Sequence, residues 1–178
     1  EIHALLEIAK AWDRGLIVCG PLAPDSQRTA AIAELARLTG WPIFADPTSQ
    51  LRRGPHVAGS PVLAHGDLLL RDPELARDFA PDVVLRIGDS PVSKSLRQAL
   101  EARPPKHMIL VDPDRVWHDP SHLASRVGVA DPAALCADWA RAWQDAGWTP
   151  RESGYTLEYL AADRRAADAL RAALAEES

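Results

Sequence analysis

Cysteine is scarce in this sequence: 178 residues hold two, Cys19 and Cys136, far apart and each inside an apolar pattern. Zinc and redox motifs need close spacing or four ligands, so both read as buried free thiols. Long apolar runs are missing as well; none approaches the roughly 20 residues that span a bilayer. The opening Glu1-Ile2-His3-Ala4 lacks the basic flank and apolar stretch of a secretory signal, and the expected compartment is the cytoplasm. A cationic face is absent too, because 20 basic and 25 acidic residues are interspersed to a formal charge of −5. That balance excludes nucleic acid as a partner. The first residue is Glu within a helical pattern, which suggests a piece of a longer chain. What remains is ordinary for a globular domain: 47% hydrophobic and 25% charged residues, with 15 prolines scattered as punctuation between elements.

Short apolar runs at 16–20, 41–46, 83–88, 107–112 and 126–129 read as strands. Helical spacing covers 2–12, 24–39, 61–70, 73–79, 92–102, 132–146 and 155–174, and the Pro/Gly-rich stretch 47–60 reads as a long loop. Asp25 or Ser26 can cap the second helix, and Gly40 can end it. The alternation predicts an α/β fold: three layers, doubly wound and Rossmann-like, around a mostly parallel sheet of about five or six strands, with flanking terminal helices. Residues 1–150 form the expected domain, and 151–178 a helical segment that is a linker or the start of a neighbouring domain.

In such a sheet ligands bind beyond the carboxyl ends of the strands, which directs attention to the turns after Gly20, Asp46, Gly88 and Asp112. The first, Gly20-Pro21-Leu22-Ala23, is not G-x-G-x-x-G, and Pro21 removes an amide that a pyrophosphate would use. A dinucleotide site is therefore disfavoured. Asp46, Asp89 and Asp112 are expected to cap turns rather than to bind metal or ribose. His118 and His122 are four apart, but Pro120 lies between them and no H-E-x-x-H is formed, so turn or surface roles are expected. No serine sits in a G-x-S-x-G elbow, and Cys19 lies within a strand, which leaves nucleophilic catalysis without support.

The most informative stretch is Gly88-Asp89-Ser90-Pro91-Val92-Ser93-Lys94-Ser95-Leu96, where a strand gives way to a helix. The sequence has three lysines against seventeen arginines, and one of them, Lys94, stands in a first helical turn where the dipole disfavours a cation. Two readings stay open: a solvated lysine, or a lysine that receives an anion together with Ser90, Ser93 and the helix N-terminus. Arg52, Arg53, Arg86 and Arg97 are further candidates for binding an acidic ligand.

Several motifs occur in order: Gly40-Trp41-Pro42-Ile43-Phe44-Ala45-Asp46-Pro47 with Ser49-Gln50, Arg86-Ile87-Gly88 with Pro91-Val92-Ser93-Lys94-Ser95-Leu96, then Val111-Asp112 and Asp119-Pro120-Ser121-His122. Together they resemble the central domain of the 2-succinyl-5-enolpyruvyl-6-hydroxy-3-cyclohexene-1-carboxylate synthases of menaquinone biosynthesis, over roughly residues 14–143. The resemblance implies a three-domain subunit in a dimer or tetramer, with thiamine diphosphate and magnesium between the N- and C-terminal domains. It implies decarboxylation of 2-oxoglutarate and addition of the product to isochorismate, with Lys94 pairing with a substrate carboxylate. The family's diphosphate motif begins Gly-Asp-Gly and ends in Asn. Here Gly66-Asp67 precedes Leu, Gly88-Asp89 precedes Ser, and the sequence has no Asn, so no cofactor is expected in this piece and no turnover by it alone.

Two other functions compete. One is a regulatory domain of another thiamine diphosphate enzyme that binds FAD, a nucleotide or an acidic pathway metabolite. The other, a free-standing nucleotide-dependent transferase, lacks both a phosphate loop and a base–nucleophile pair.

Overall fold

In the computed structural model, residues 2–149 and 153–176 are described. Helix α1 (Ile2–Ala11) leads into β1 (Gly15–Cys19), α2 (Ser26–Thr39) and β2 (Ile43–Ala45). A 3-10 turn at Pro55–Val57 interrupts the long loop before β3 (Val62–Leu63), α3 (Gly66–Leu69) and α4 (Pro73–Asp78). Then follow β4 (Val83–Ile87), α5 (Lys94–Ala102), β5 (His107–Val111), β6 (Arg126–Gly128), α6 (Pro132–Asp145) and α7 (Gly154–Glu176).

The six strands form one parallel sheet in the order β3-β2-β1-β4-β5-β6, with Ile17 opposite both Ile43 and Leu85, and Leu85 opposite Ile109. Strand side chains alternate between the two faces and so supply two separate cores. Ile17, Cys19, Leu85 and Ile109 face α2 and α6, where Trp41 and Trp139 meet edge to face at 6.1 Å. Leu16, Val18, Val84 and Met108 face the other way, against Leu96, Leu100 and Tyr159. The expected three-layer parallel fold is thus present, and both cysteines are buried and free. Among the described residues no helix is long and apolar enough to cross a membrane.

The ends of the elements follow from local chemistry. Asp25 caps α2 by accepting from the amides of Gln27 and Arg28, and Gly40 ends that helix at φ 69°, a left-handed conformation that costs a side-chain-bearing residue most. One expectation fails: 61–70 is not a single helix. Val62 and Leu63 instead pair with Ile43 and Phe44 as the edge strand β3, leaving a four-residue α3. Pairing with the open edge of β2 outweighs the helical spacing there. Gly66 seals the arrangement, since a Cβ at that position would lie 2.4 Å from the Phe44 ring.

Helix α7 packs on the second face through Thr156, Tyr159, Ala162 and Asp163. The Tyr159 ring meets Phe79 at 5.0 Å and its hydroxyl donates to the Leu75 carbonyl at 2.9 Å, while the Thr156 hydroxyl donates to the Gly40 carbonyl at 2.7 Å.

Candidate functional site

The carboxyl end of β2 and the start of α5 enclose a cleft of about 590 Å³, walled by Phe44, Asp46, Arg52, Asp67, Ser93 and Lys94 among others. Asp46, directly after β2, is buried and joins two loops. Its Oδ1 accepts from the amide and hydroxyl of Thr48 at 2.9 and 2.8 Å, and its Oδ2 accepts from the Val92 amide at 3.0 Å. The loop leading into α5 is thereby pinned to the end of a strand two positions away in the sheet.

Ser93 is the N-cap of α5: its Oγ accepts from the Leu96 amide at 3.1 Å and donates to Asp67 Oδ1 at 2.6 Å. Ser95 donates to the same oxygen at 2.7 Å. Arg71 completes the arrangement with Nη2 and Nε at 2.9 and 3.2 Å from Asp67 Oδ2. The two serine hydroxyls, foremost that of Ser93, hold the Asp67 carboxyl below the usual carboxylate range, with a smaller contribution from Arg71. Lys94, between the serines, begins α5 and is exposed. Among the described residues no ion pair engages its ammonium. Arg52 is anchored through Nε to the Ala45 carbonyl at 2.9 Å and contributes a second cation to the same cleft.

The other residues singled out in the sequence lie elsewhere. Ser90, Arg86 and Arg97 border a small hollow of about 30 Å³ that also touches Ser93, and exposed Arg53 lines neither space. Arg97 pairs along its own helix with Glu101 at 2.8 Å. Arg86 is buried in β4, where its guanidinium sits 3.3 Å from Asp119 and donates to the His118 carbonyl. Burial pulls its pKa down, against the opposing pull of Asp119. Asp67 is not marked by the sequence because the serines that define its role lie 26 and 28 residues away. The local signal is the i,i+4 spacing of Asp67 and Arg71, which pairs the two but points to neither serine.

A second crevice of about 360 Å³ lies where β1 and β4 diverge, at the topological switch point. It is walled partly by the carboxylates of Asp89, Asp112 and Asp114. Asp112 accepts from the amides of Asp114 and Trp117 at 2.9 and 2.7 Å, and Asp89 accepts from the Ser90 amide at 2.6 Å and pairs with His118. All three residues that follow strands, Asp46, Asp89 and Asp112, therefore cap loops. His122 occupies a left-handed turn position at φ 54°.

A family model described as the middle domain of thiamine pyrophosphate enzymes matches residues 7–175. The chain belongs to this middle-domain family. It is also 44% identical over 145 residues to a 2-succinyl-5-enolpyruvyl-6-hydroxy-3-cyclohexene-1-carboxylate synthase of Geobacillus kaustophilus, covering 79% of this chain and 24% of that protein. The synthase of the same name from Haloquadratum walsbyi is 37% identical over 88% of this chain and 25% of its own length. That from Halobacterium salinarum is 42% identical over 80% of this chain and 25% of its own. The chain thus spans about a quarter of the length of these relatives.

The β1–α2 turn packs against the neighbouring loop, where a Cβ on Gly20 would lie 1.7 Å from the Asp89 carbonyl oxygen, and the crevice beside it is lined by Arg28 and Arg86 as well as by the carboxylates of Asp89, Asp112 and Asp114. Among the described residues no group of three or more His, Cys, Asp and Glu side chains is placed to hold a metal ion.

Proposed function

We propose that this chain is the middle domain of a synthase that decarboxylates 2-oxoglutarate and joins the product to isochorismate. Thiamine diphosphate and magnesium are held by the N- and C-terminal domains of the intact, homo-oligomeric, cytoplasmic enzyme. The middle domain lends that enzyme structure, an interface and one carboxylate contact. The observation that carries this reading is the ammonium of Lys94 at the first position of α5, which no ion pair engages among the described residues, with Arg52 as a second cation in the same cleft. Both substrates are carboxylates, and a lysine beside a helix N-terminus offers charge and amide donors together. Ser93 serves chiefly by capping the helix that carries Lys94.

In the intact synthase, Lys94→Ala is expected to raise the isochorismate KM about tenfold or more, the usual effect of losing a charge-assisted contact. Unchanged steady-state kinetics would remove Lys94 from the substrate site. The isolated chain, supplied with 2-oxoglutarate, isochorismate, thiamine diphosphate and magnesium, is expected to show no turnover; measurable product would overturn the assignment of chemistry to other domains.

A further inference from the structure

We infer that Asp67 is the positioning residue for Lys94, an assignment that rests on the proposed carboxylate-binding role of that lysine. The argument begins with what Asp67 touches. One oxygen, Oδ1, receives the hydroxyls of the residues on either side of the lysine, Ser93 at 2.6 Å and Ser95 at 2.7 Å. Ser95 also reaches the Asp67 carbonyl at 3.1 Å, so two contacts bind it to the start of α3. The Leu96 amide donates to Ser93 Oγ, and Ser93 in turn donates to Asp67, a chain in which each bond polarises the next. Two residues flanking a third fix its backbone, and hence the direction in which its Cα–Cβ bond leaves the helix.

The second oxygen decides where the charge goes. Arg71 takes Oδ2, so the carboxylate is engaged by a guanidinium and two hydroxyls, and the ammonium of Lys94 is left without an ion pair among the described residues. Asp67 nevertheless places an anion beside the N-terminus of α5, where it offsets the unfavourable placing of a cation on the first helical residue. A carboxylate that paired with Lys94 directly would occupy the cation that substrate needs. Asp67 lines the same cleft but acts through the serines. Its own position comes from β3, which pairs with β2, and from Gly66, which lies against Phe44.

The test is steady-state kinetics of the intact synthase with isochorismate varied. Asp67→Ala is expected to raise the isochorismate KM about tenfold with kcat within about twofold, since the chemistry lies elsewhere. Asp67→Asn should recover most of that loss, because the amide keeps an oxygen at Oδ1 for both hydroxyls. Ser95→Ala removes one of the two flanking bonds while improving helix propensity, and is expected to raise KM about threefold; it decides the matter if Asp67→Ala does not fold. The double variant Lys94→Ala/Asp67→Ala should be no worse than Lys94→Ala alone. A fall in kcat at constant KM, an Asn variant no better than Ala, or losses that multiply in the double variant would each overturn the positioning role. If Lys94→Ala raises KM and Asp67→Ala does not, positioning alone fails. If Lys94→Ala itself changes nothing, the reading of the lysine fails first.

Discussion

Replacing Asp119 by alanine tests how the β4 arginine is held. Arg86 is 3% exposed, and among the described residues Asp119, with Oδ1 at 3.3 Å, is the one carboxylate that forms an ion pair with it. The same side chain accepts from the Ser121 hydroxyl at 3.0 Å and the Ala124 amide at 2.8 Å, so it also organises the loop that follows β5. Removing it strands a buried guanidinium, which typically costs about 3–5 kcal/mol. A domain of this size is stable by about 5–15 kcal/mol, so the variant should stay folded with a much reduced margin. A loss of about 4 kcal/mol corresponds to a drop in Tm of roughly 8–16 °C at this chain length. Arg86→Met makes a useful contrast. It removes the charge, leaves Asp119 its Ser121 and Ala124 donors, and places an apolar side chain between the register neighbours Val18 and Leu110, for an expected cost of about 0–2 kcal/mol. The double variant should lie near Arg86→Met rather than at the sum of the two losses. Urea unfolding followed by tryptophan fluorescence reads all three, because Trp139 and Trp143 are fully buried. A cost below about 1 kcal/mol for Asp119→Ala, or a larger cost for Arg86→Met than for Asp119→Ala, would refute the reasoning.

Two more predictions concern the first face of the sheet and its loops. Gly20→Ala pushes a methyl into the Asp89 carbonyl and should lower stability by about 1–3 kcal/mol, read as a shift of the urea midpoint at constant m; an unshifted midpoint would show that the turn can yield. Burial raises Cys19 well above 9.0 and pushes Cys136 up to about 12, the latter with a smaller push from Asp131. Both thiols should therefore be silent to a disulfide reagent at pH 8 in the native state and react fully in urea. Because the unfolded thiols ionise first, their contribution to stability is complete below pH 9 and is lost as pH rises toward 12, more gently in Cys136→Ala than in the parent; identical alkaline profiles would argue against it.

Much of the sheet was legible because each central strand is a short apolar run closed by a Gly or Asp, as in Val83 to Gly88. Buried parallel strands leave that mark on any sequence that forms them. The caps Asp25 and Gly40 were equally plain, being local. What stayed hidden was set by distant partners. Val62 and Leu63 are too few to show a period of two, and only the open edge of β2 makes them a strand. At the site, Lys94 stood out by its rarity and its place in a first turn, whereas the bonds of Asp67 to Ser93 and Ser95 and the Arg86–Asp119 pair had no spacing to betray them. Positions joined by a fold rather than by a helix or a turn carry no periodic signature.

Helix α7 reaches further than its packing on the sheet. Asp163 takes the His65 amide on Oδ1 at 2.7 Å and the His65 ring on Oδ2 at 3.1 Å, and His65 is the residue from which α3 starts. Asp67, two residues on, fixes the start of α5. Two carboxylates thus act in series on two helix beginnings, and the 23-residue α7, a rod of about 35 Å, is the first member of the relay. The rod therefore bears on the start of α3 through Asp163 although none of its residues lines the cleft.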